Sequence, residues 1–258
     1  MRVEGKLIPF IGAGLSAELG IPTTETLIEI IAQELSWDPE VLRIAGELSQ
    51  IAEYYVTRKE SIGPLRSKLD RMFSKTEAEV KKSRSHMALV DCNFPIIYTT
   101  NYDNILETAF RARRKRFHSI SKLSDLAAVR KGETLIYKFH GSFEDDESLI
   151  LTESSYLDRL DFESPLDIRL RSDALGKTLL FIGHSFKDIN IRYLTHKLFR
   201  LRERQKQRFD EIPIAIMVTY STNEMIRAVL KKNSVEVIEL EPFDKSGSTE
   251  RFLEYLRN

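Results

Sequence analysis

The residues of this sequence that are best suited to chemistry lie in three polar clusters, each directly after a short apolar run. Asn101 and Asp103 follow one run, His140 follows a second, and Gly183 with Ser185 follows a third. A histidine at such a position could act as a general base near neutral pH. An asparagine amide there could position a water or a hydroxyl group. The clusters therefore predict a polar site in which a proton is moved.

These clusters also have a simpler structural interpretation. Thr100 or Asn101 could cap the helix that begins there, and Asp103 would be favourable in its first turn. A lone histidine such as His140 is more often a structural or surface residue. Capping does not exclude contact with a ligand, so both interpretations stay open at this point.

A glycine turn follows the first apolar run, with the sequence Gly12-Ala13-Gly14-Leu15-Ser16-Ala17. Its spacing fits the dinucleotide fingerprint, in which missing side chains let the backbone approach a pyrophosphate at a helix N-terminus. The acidic residue expected about 20 residues later, at the end of a second strand, is not recognisable. Taken alone, the turn is equally consistent with a phosphate site and with a tight turn that binds nothing.

Six short apolar runs predict the strands that must position these residues, and each run is followed by a turn and a helical stretch. The runs are 7–11, 95–99, 134–139, 178–182, 212–218 and 235–240. Strands that alternate with helices predict a Rossmann-like, doubly wound α/β fold with a parallel sheet of about six strands. Because such sheets bind ligands at the carboxyl ends of their strands, we expect the clusters and the glycine turn to meet in one cleft.

The segment between the first two predicted strands is too long for an ordinary crossover, and it has only helical patterns. We expect a helical insertion at about 37–90 within a single domain that spans 1–258. Lys and Arg total 39, as do Asp and Glu, and 42% of the residues are hydrophobic, which excludes a disordered chain and a globally basic nucleic-acid coat.

The sequence has no apolar run near the roughly 18 to 20 residues of a membrane span, and its first residues lack the apolar core of a signal peptide. We therefore expect a cytoplasmic protein without membrane contact. The basic run 111–116 predicts a solvated helix end, with direct nucleic-acid or partner binding as the alternative. Cys92 is the only cysteine, which excludes an internal disulfide and a zinc site built from two cysteine pairs.

The motifs, in their order along the chain, resemble those of the sirtuin superfamily, and more narrowly the SIR2-like domains of bacterial anti-phage defence systems. The motifs that carry the resemblance are Gly12-Ala13-Gly14-Leu15-Ser16 with Gly20-Ile21-Pro22, Thr99-Thr100-Asn101-Tyr102-Asp103, His140-Gly141-Ser142 and Gly183-His184-Ser185. The resemblance covers roughly residues 6–258.

The resemblance implies that NAD⁺ is the substrate, with Asn101 and His140 as the catalytic residues. The residues implied to contact NAD⁺ are Gly12, Ala13, Gly14 and Ser16 around the phosphates and ribose, Thr23 and Asp103 towards nicotinamide, and Gly183 and Ser185 at the adenosine half. Thr23 departs from the aspartate that deacylating sirtuins carry after Gly-Ile-Pro. Tyr102 replaces the usual aliphatic residue between the asparagine and the aspartate.

The missing zinc cysteines separate this sequence from the protein deacylases of the superfamily, so no zinc is expected. The resemblance implies an NAD⁺ hydrolase that releases nicotinamide and ADP-ribose and depletes NAD⁺ in anti-phage defence. The alternatives are a catalytically silent module that binds NAD⁺ or ADP-ribose and, less favoured, an NAD-dependent protein deacylase. The resemblance also implies a homo-oligomer and a partner such as a hexameric DNA-translocating ATPase or a prokaryotic Argonaute.

Overall fold

A seven-stranded sheet forms the centre of the computed structural model, which describes residues 5–160, 163–184, 189–203 and 213–257. The strands are β1 (Leu7–Ile11), β2 (Ile96–Thr99), β3 (Phe117–Ile120), β4 (Thr134–Lys138), β5 (Thr178–Ile182), β6 (Ala215–Thr219) and β7 (Val235–Glu239). Every strand pairing is parallel, in the order β3-β4-β2-β1-β5-β6-β7. The predicted doubly wound α/β fold is therefore confirmed.

The chain enters this sheet at its centre and builds outward in two directions. From β1 it proceeds to β2, β3 and β4 on one side, then crosses to β5, β6 and β7 on the other. The strand order thus reverses between β1 and β5. In open α/β sheets, ligands bind outside the carboxyl ends of the strands at such a point.

Twelve α-helices connect or flank the strands in the described ranges. They are α1 (Thr24–Leu35), α2 (Pro39–Ala45), α3 (Leu48–Lys59), α4 (Gly63–Phe73), α5 (Glu77–Val80), α6 (Arg84–Asp91), α7 (Ile105–Ala112), α8 (Glu153–Leu160), α9 (Pro165–Ala174), α10 (Ile189–Glu203), α11 (Glu224–Lys232) and α12 (Lys245–Arg257). Helices α2–α6 occupy the segment between β1 and β2, where a helical insertion is predicted. Its status as a separate subdomain stays a prediction.

Both faces of the sheet are covered, and the strand residues alternate between two hydrophobic cores. Ile11 and Ile182 pack in one core with α1 to α7 and α12, whereas Phe10 and Phe181 pack in the other with α9, α10 and α11. Successive side chains of a strand point to opposite faces, so a strand buried on both sides has a continuous apolar sequence. That explains why β1 and β5 are recognisable from the sequence.

The prediction of about six strands is one short, because β3 has no continuous apolar sequence. This strand of four residues lies at the edge of the sheet, pairs only with β4, and contains His118 and Ser119, both half-buried. Edge strands are often short and polar. The apolar pattern of residues 102–115 predicts one helix, but α7 begins only at Ile105, after the polar cluster, and ends at Ala112.

The apolar patterns of residues 41–57 and 78–90 each predict a single helix, but both stretches are interrupted in the structure. The stretch 41–57 is divided at Gly46, where α2 ends, and α3 begins behind a capping box made by Glu47 and Gln50. The stretch 78–90 is divided where the Ser83 side chain caps α6. In the part of the chain that the structure describes, no helix is long and apolar enough to cross a membrane.

Candidate functional site

Four neighbouring strands, in the order β4-β2-β1-β5, bring the predicted site residues to one edge of the sheet. His140 follows β4, Asn101 follows β2, the glycine turn follows β1 and Gly183 follows β5. Their positions are tied by backbone bonds, since the Thr100 amide donates to Ile11 O (3.1 Å) and the Phe139 amide to Thr99 O (2.7 Å). The structure thus assembles residues that lie far apart in sequence.

The glycine turn after β1 packs directly on the turn after β5. The Gly12 amide donates to Ile182 O (2.9 Å), and the Gly14 amide donates to Gly183 O (2.8 Å). A Cβ atom at position 183 would lie 2.4 Å from the Leu15 nitrogen, and Gly183 has a φ of +77°. The glycines are thus required for the close approach of the two turns. The predicted contacts of Gly12 and Gly14 with the phosphates of NAD⁺, and of Gly183 with its adenosine half, stay predictions.

The other residues predicted to contact the dinucleotide have different environments. Ala13 and Gly14 are exposed at the start of a 3-10 helix, Ala13–Leu19, whereas Ser16 is fully buried. Thr23 is exposed and caps α1 by accepting a hydrogen bond from the Thr26 amide (3.4 Å). Ser185 lies outside the described residues.

Asn101 contributes a buried side-chain oxygen to the site. Its backbone amide donates to Thr99 Oγ1 (3.0 Å), and its side-chain Nδ2 donates to Ser16 Oγ (3.3 Å). Asn101 Oδ1 is buried and has no hydrogen-bond partner among the described residues. Burying an amide oxygen without a partner costs about 1 to 3 kcal/mol, so such an atom is a natural acceptor for a ligand hydroxyl or a water.

Asp103 holds the start of α7 as well as lying beside Asn101. Its Oδ1 accepts a hydrogen bond from the Ile105 amide (3.0 Å), as the capping interpretation predicts. Burial raises the pKa of Asp103 above its usual range, against the opposing effect of the Lys138 charge. The Lys138 ammonium donates to the carbonyl oxygens of Tyr102 (3.2 Å) and Asp103, and thus fixes the turn that carries Asn101.

His140 is buried in an aromatic environment, with only 7% of the residue exposed. Its ring centroid lies 5.4 Å from that of Tyr156 and 6.4 Å from that of Tyr102. Burial, followed by the positive charge of Arg159 and the nearby ionisable imidazole of His184, lowers the pKa of His140 to about 3. The imidazole is therefore neutral at neutral pH, and its unprotonated ring nitrogen can accept a hydrogen bond.

Three residues near the site, His86, Ser83 and Glu18, were not singled out from the sequence. His86 Nε2 lies 3.4 Å from Ser16 Oγ, and its Nδ1 lies 2.6 Å from Ser83 Oγ. Ser83 in turn donates to the Glu18 carboxylate. His86 lies in a helix with an apolar face and gives no sequence signal of its own. Only its contact with Ser16, a residue of the glycine turn, connects it with Asn101.

Unfolding experiments should detect the low pKa of His140. Because the unfolded chain binds a proton at pH values where folded His140 does not, the free energy of unfolding falls as the pH drops below about 6.5. The loss attributable to this residue is about 1 kcal/mol between pH 7 and pH 5.5. Urea titrations of the parent and of His140→Phe measure it, and the pH dependence should be weaker in the variant. Equal pH dependences would contradict the assigned environment.

The ranges that the structure describes contain no group of three or more His, Cys, Asp or Glu side chains that could hold a metal ion. Cys92 is a free, partly buried thiol, and burial raises its pKa to about 11.

The chain is similar to a known domain family and to several named proteins. The family model described as a SIR2-like domain matches residues 95–238. A protein named NAD(+) hydrolase ThsA from Bacillus cereus (strain MSX-D12) is 29% identical over 77% of this chain and 41% of its own length. A protein of the same name from Enterococcus faecium is 29% identical over 90% of this chain and 45% of its own length.

A third relative, named Defense-associated sirtuin 2, comes from Bacillus subtilis. It is 30% identical over 78% of this chain and 20% of its own length. The chain thus spans less than half the length of these curated relatives.

Proposed function

The chain belongs to the SIR2-like domain family, and on that premise we propose that it hydrolyses NAD⁺ at the bond between nicotinamide and ribose. Relatives of this chain carry the name NAD(+) hydrolase. The observation that carries the proposal is that two buried groups follow the carboxyl ends of adjacent strands: Asn101 Oδ1, which has no hydrogen-bond partner among the described residues, and the neutral imidazole of His140. Both groups are acceptors, as attack by water requires.

The proposed reaction needs a base but no acid. When the glycosidic bond breaks, its electron pair goes to the positively charged ring nitrogen, and nicotinamide leaves as a neutral molecule. The ribose carbon becomes cationic and takes the oxygen of a water, which releases one proton. Asn101 Oδ1 orients that water or a ribose hydroxyl by accepting a hydrogen bond, and His140 accepts the proton. The products are nicotinamide, ADP-ribose and a proton.

A direct assay tests the proposal. The purified chain is incubated with NAD⁺, and nicotinamide and ADP-ribose are quantified by chromatography, with NAD⁺ binding measured in parallel by calorimetry. Equimolar nicotinamide and ADP-ribose are expected. Binding of NAD⁺ or ADP-ribose without release of nicotinamide would instead favour the silent binding module. Release that requires an acylated peptide would favour the deacylase.

The low pKa of His140 also sets the pH dependence of this activity. The profile of kcat/KM reports the pKa values of the free enzyme. Because His140 is already neutral above about pH 3, the ratio kcat/KM should show no loss from protonation of His140 between pH 5.5 and pH 8. Steady-state assays across that range, with circular dichroism to confirm folding, measure the profile. A tenfold decrease per pH unit below pH 6.5 would contradict this expectation.

We further propose that the activity depletes NAD⁺ in anti-phage defence, as the name of the Bacillus subtilis relative suggests. Self-association, control by a hexameric DNA-translocating ATPase or a prokaryotic Argonaute, and a cytoplasmic location remain predictions of the family resemblance. Size-exclusion chromatography with light scattering tests the first of these directly.

A further inference from the structure

A line of four hydrogen bonds links Asn101 with a carboxylate on the far side of the glycine turn. It passes from Asn101 Nδ2 to Ser16 Oγ (3.3 Å), from there to His86 Nε2 (3.4 Å), and from His86 Nδ1 to Ser83 Oγ (2.6 Å). Ser83 Oγ finally contacts Glu18 Oε1. Ser16 and His86 are 0% and 1% exposed, so solvent does not compete for these contacts.

The carboxylate at the end of this line is ionised. Burial alone would raise the pKa of Glu18, but the imidazole of His86, whose Nδ1 lies 3.8 Å from Oε1, and the hydroxyls of Ser246, Ser83 and Ser85 outweigh it and lower the pKa to about 2. An ionised carboxylate only accepts hydrogen bonds. The single hydroxyl proton of Ser83 therefore points at Glu18, and Ser83 Oγ is left with acceptor sites only.

Because the Ser83 proton is committed to Glu18, the donor and the acceptor of each further hydrogen bond in the line are determined in turn. Because Ser83 Oγ accepts, His86 must carry a proton on Nδ1, and in the neutral imidazole Nε2 is then an acceptor. Ser16 donates its proton to Nε2, so Ser16 Oγ accepts from the side chain beyond it. Only the Nδ2 end of the Asn101 amide can donate to it.

We propose that His86 is a positioning residue that, held by Glu18 and Ser83, fixes the Asn101 amide through Ser16 so that Oδ1 faces the reacting water or ribose hydroxyl. The part of this inference that concerns catalysis rests on the proposed function. The inference also makes two structural statements that do not depend on any activity. His86 carries its proton on Nδ1, and the Asn101 amide has the stated orientation. If the amide turned over, its NH₂ group would face the reacting atoms and could not accept a hydrogen bond from them.

Nuclear magnetic resonance tests which nitrogen of the His86 ring carries the proton. The ¹⁵N shifts of the His86 ring in the full chain at pH 7.5 should show a protonated Nδ1 and a bare Nε2. In Glu18→Ala the Ser83 hydroxyl is free to donate to Nδ1, so the proton should move towards Nε2. The Glu18 side chain is 22% exposed, so this variant avoids a large cavity in the core. A protonated Nε2 in the parent would overturn the proposal.

Steady-state kinetics test whether His86 supports catalysis by positioning Asn101. His86→Phe keeps the ring volume and should lower kcat about 10- to 100-fold, with KM changed less than about threefold, because a misplaced catalytic group is felt mainly in the transition state. In an Asn101→Ala background, His86→Phe should cause less than about a threefold further loss, since His86 acts only through Asn101. Losses that multiply would overturn the proposal. Thermal melting of each variant confirms that it is folded.

A matched control shows whether the decrease in kcat is specific to His86 or follows the replacement of a histidine elsewhere in the protein. His118 lies on β3 at the edge of the sheet, and its Nε2 contacts the Asp125 carbonyl oxygen (2.8 Å). His118→Phe should leave kcat unchanged. If the parent releases no nicotinamide, the proposed function fails, and the ¹⁵N spectra still decide whether the line of hydrogen bonds has the stated direction.

Discussion

Nicotinamide release should fall by about 10²- to 10⁴-fold when His140 is replaced by alanine, and by a similar factor for Asn101→Ala. His140→Ala removes the buried base. Asn101→Ala removes the buried Oδ1 that orients the water or the ribose hydroxyl. Because both groups act in the same step, the loss should be mainly in kcat, and NAD⁺ should still bind.

Chromatography of nicotinamide under single-turnover conditions, with enzyme in excess, measures losses of this size. His196→Ala and Asn233→Ala are matched controls, since His196 is exposed on α10 and Asn233 follows α11. Both should retain the parental rate. A folded His140→Ala protein that hydrolysed NAD⁺ at the parental rate would falsify the assignment of the base.

Replacing Gly183 by alanine should destabilise the protein by about 2 to 5 kcal/mol. At a φ of +77° an alanine is strained by about 1 to 2 kcal/mol. The new Cβ would also lie 2.4 Å from Leu15 N and 2.7 Å from Gly12 O, and both are backbone atoms that cannot rotate away. The turns after β1 and β5 would have to separate, which would also displace the start of the 3-10 helix that carries Ser16.

Urea denaturation of Gly183→Ala measures this cost, and Gly176→Ala is its matched control. Gly176 precedes β5, and a Cβ there would have no atom within 4 Å. The control should match the parent within about 0.5 kcal/mol. A Gly183→Ala protein as stable as the control would mean that the two turns do not pack as described.

Much of the fold is predictable because the central strands are buried on both faces. Such strands have continuous apolar sequences, and β5 is found at 178–182 exactly as the sequence indicates. The edge strand β3 has no such run and was missed. Helix α9 was also not predicted, although Ser164-Pro165 and Asp167 form a capping box with proline at the first helical position, which is a recognisable helix start.

The catalytic candidates were accessible from sequence for a related reason. A polar residue directly after a buried strand stands out against its apolar surroundings, and the parallel arrangement places all such residues at one edge of the sheet. Asn101 and His140 were identified in that way. Their roles remain predictions that the variants above test.

The sequence by itself determined the α/β class, the edge of the sheet at which the site lies and the family, because these depend on local apolar runs and on short motifs. Tertiary structure alone decided which long-range contacts form. It placed Gly183 against Gly12, buried His140 so that its pKa falls to about 3, and brought His86 to Ser16. The physical reason is that burial and hydrogen bonding depend on atoms from distant parts of the chain, which no local pattern records.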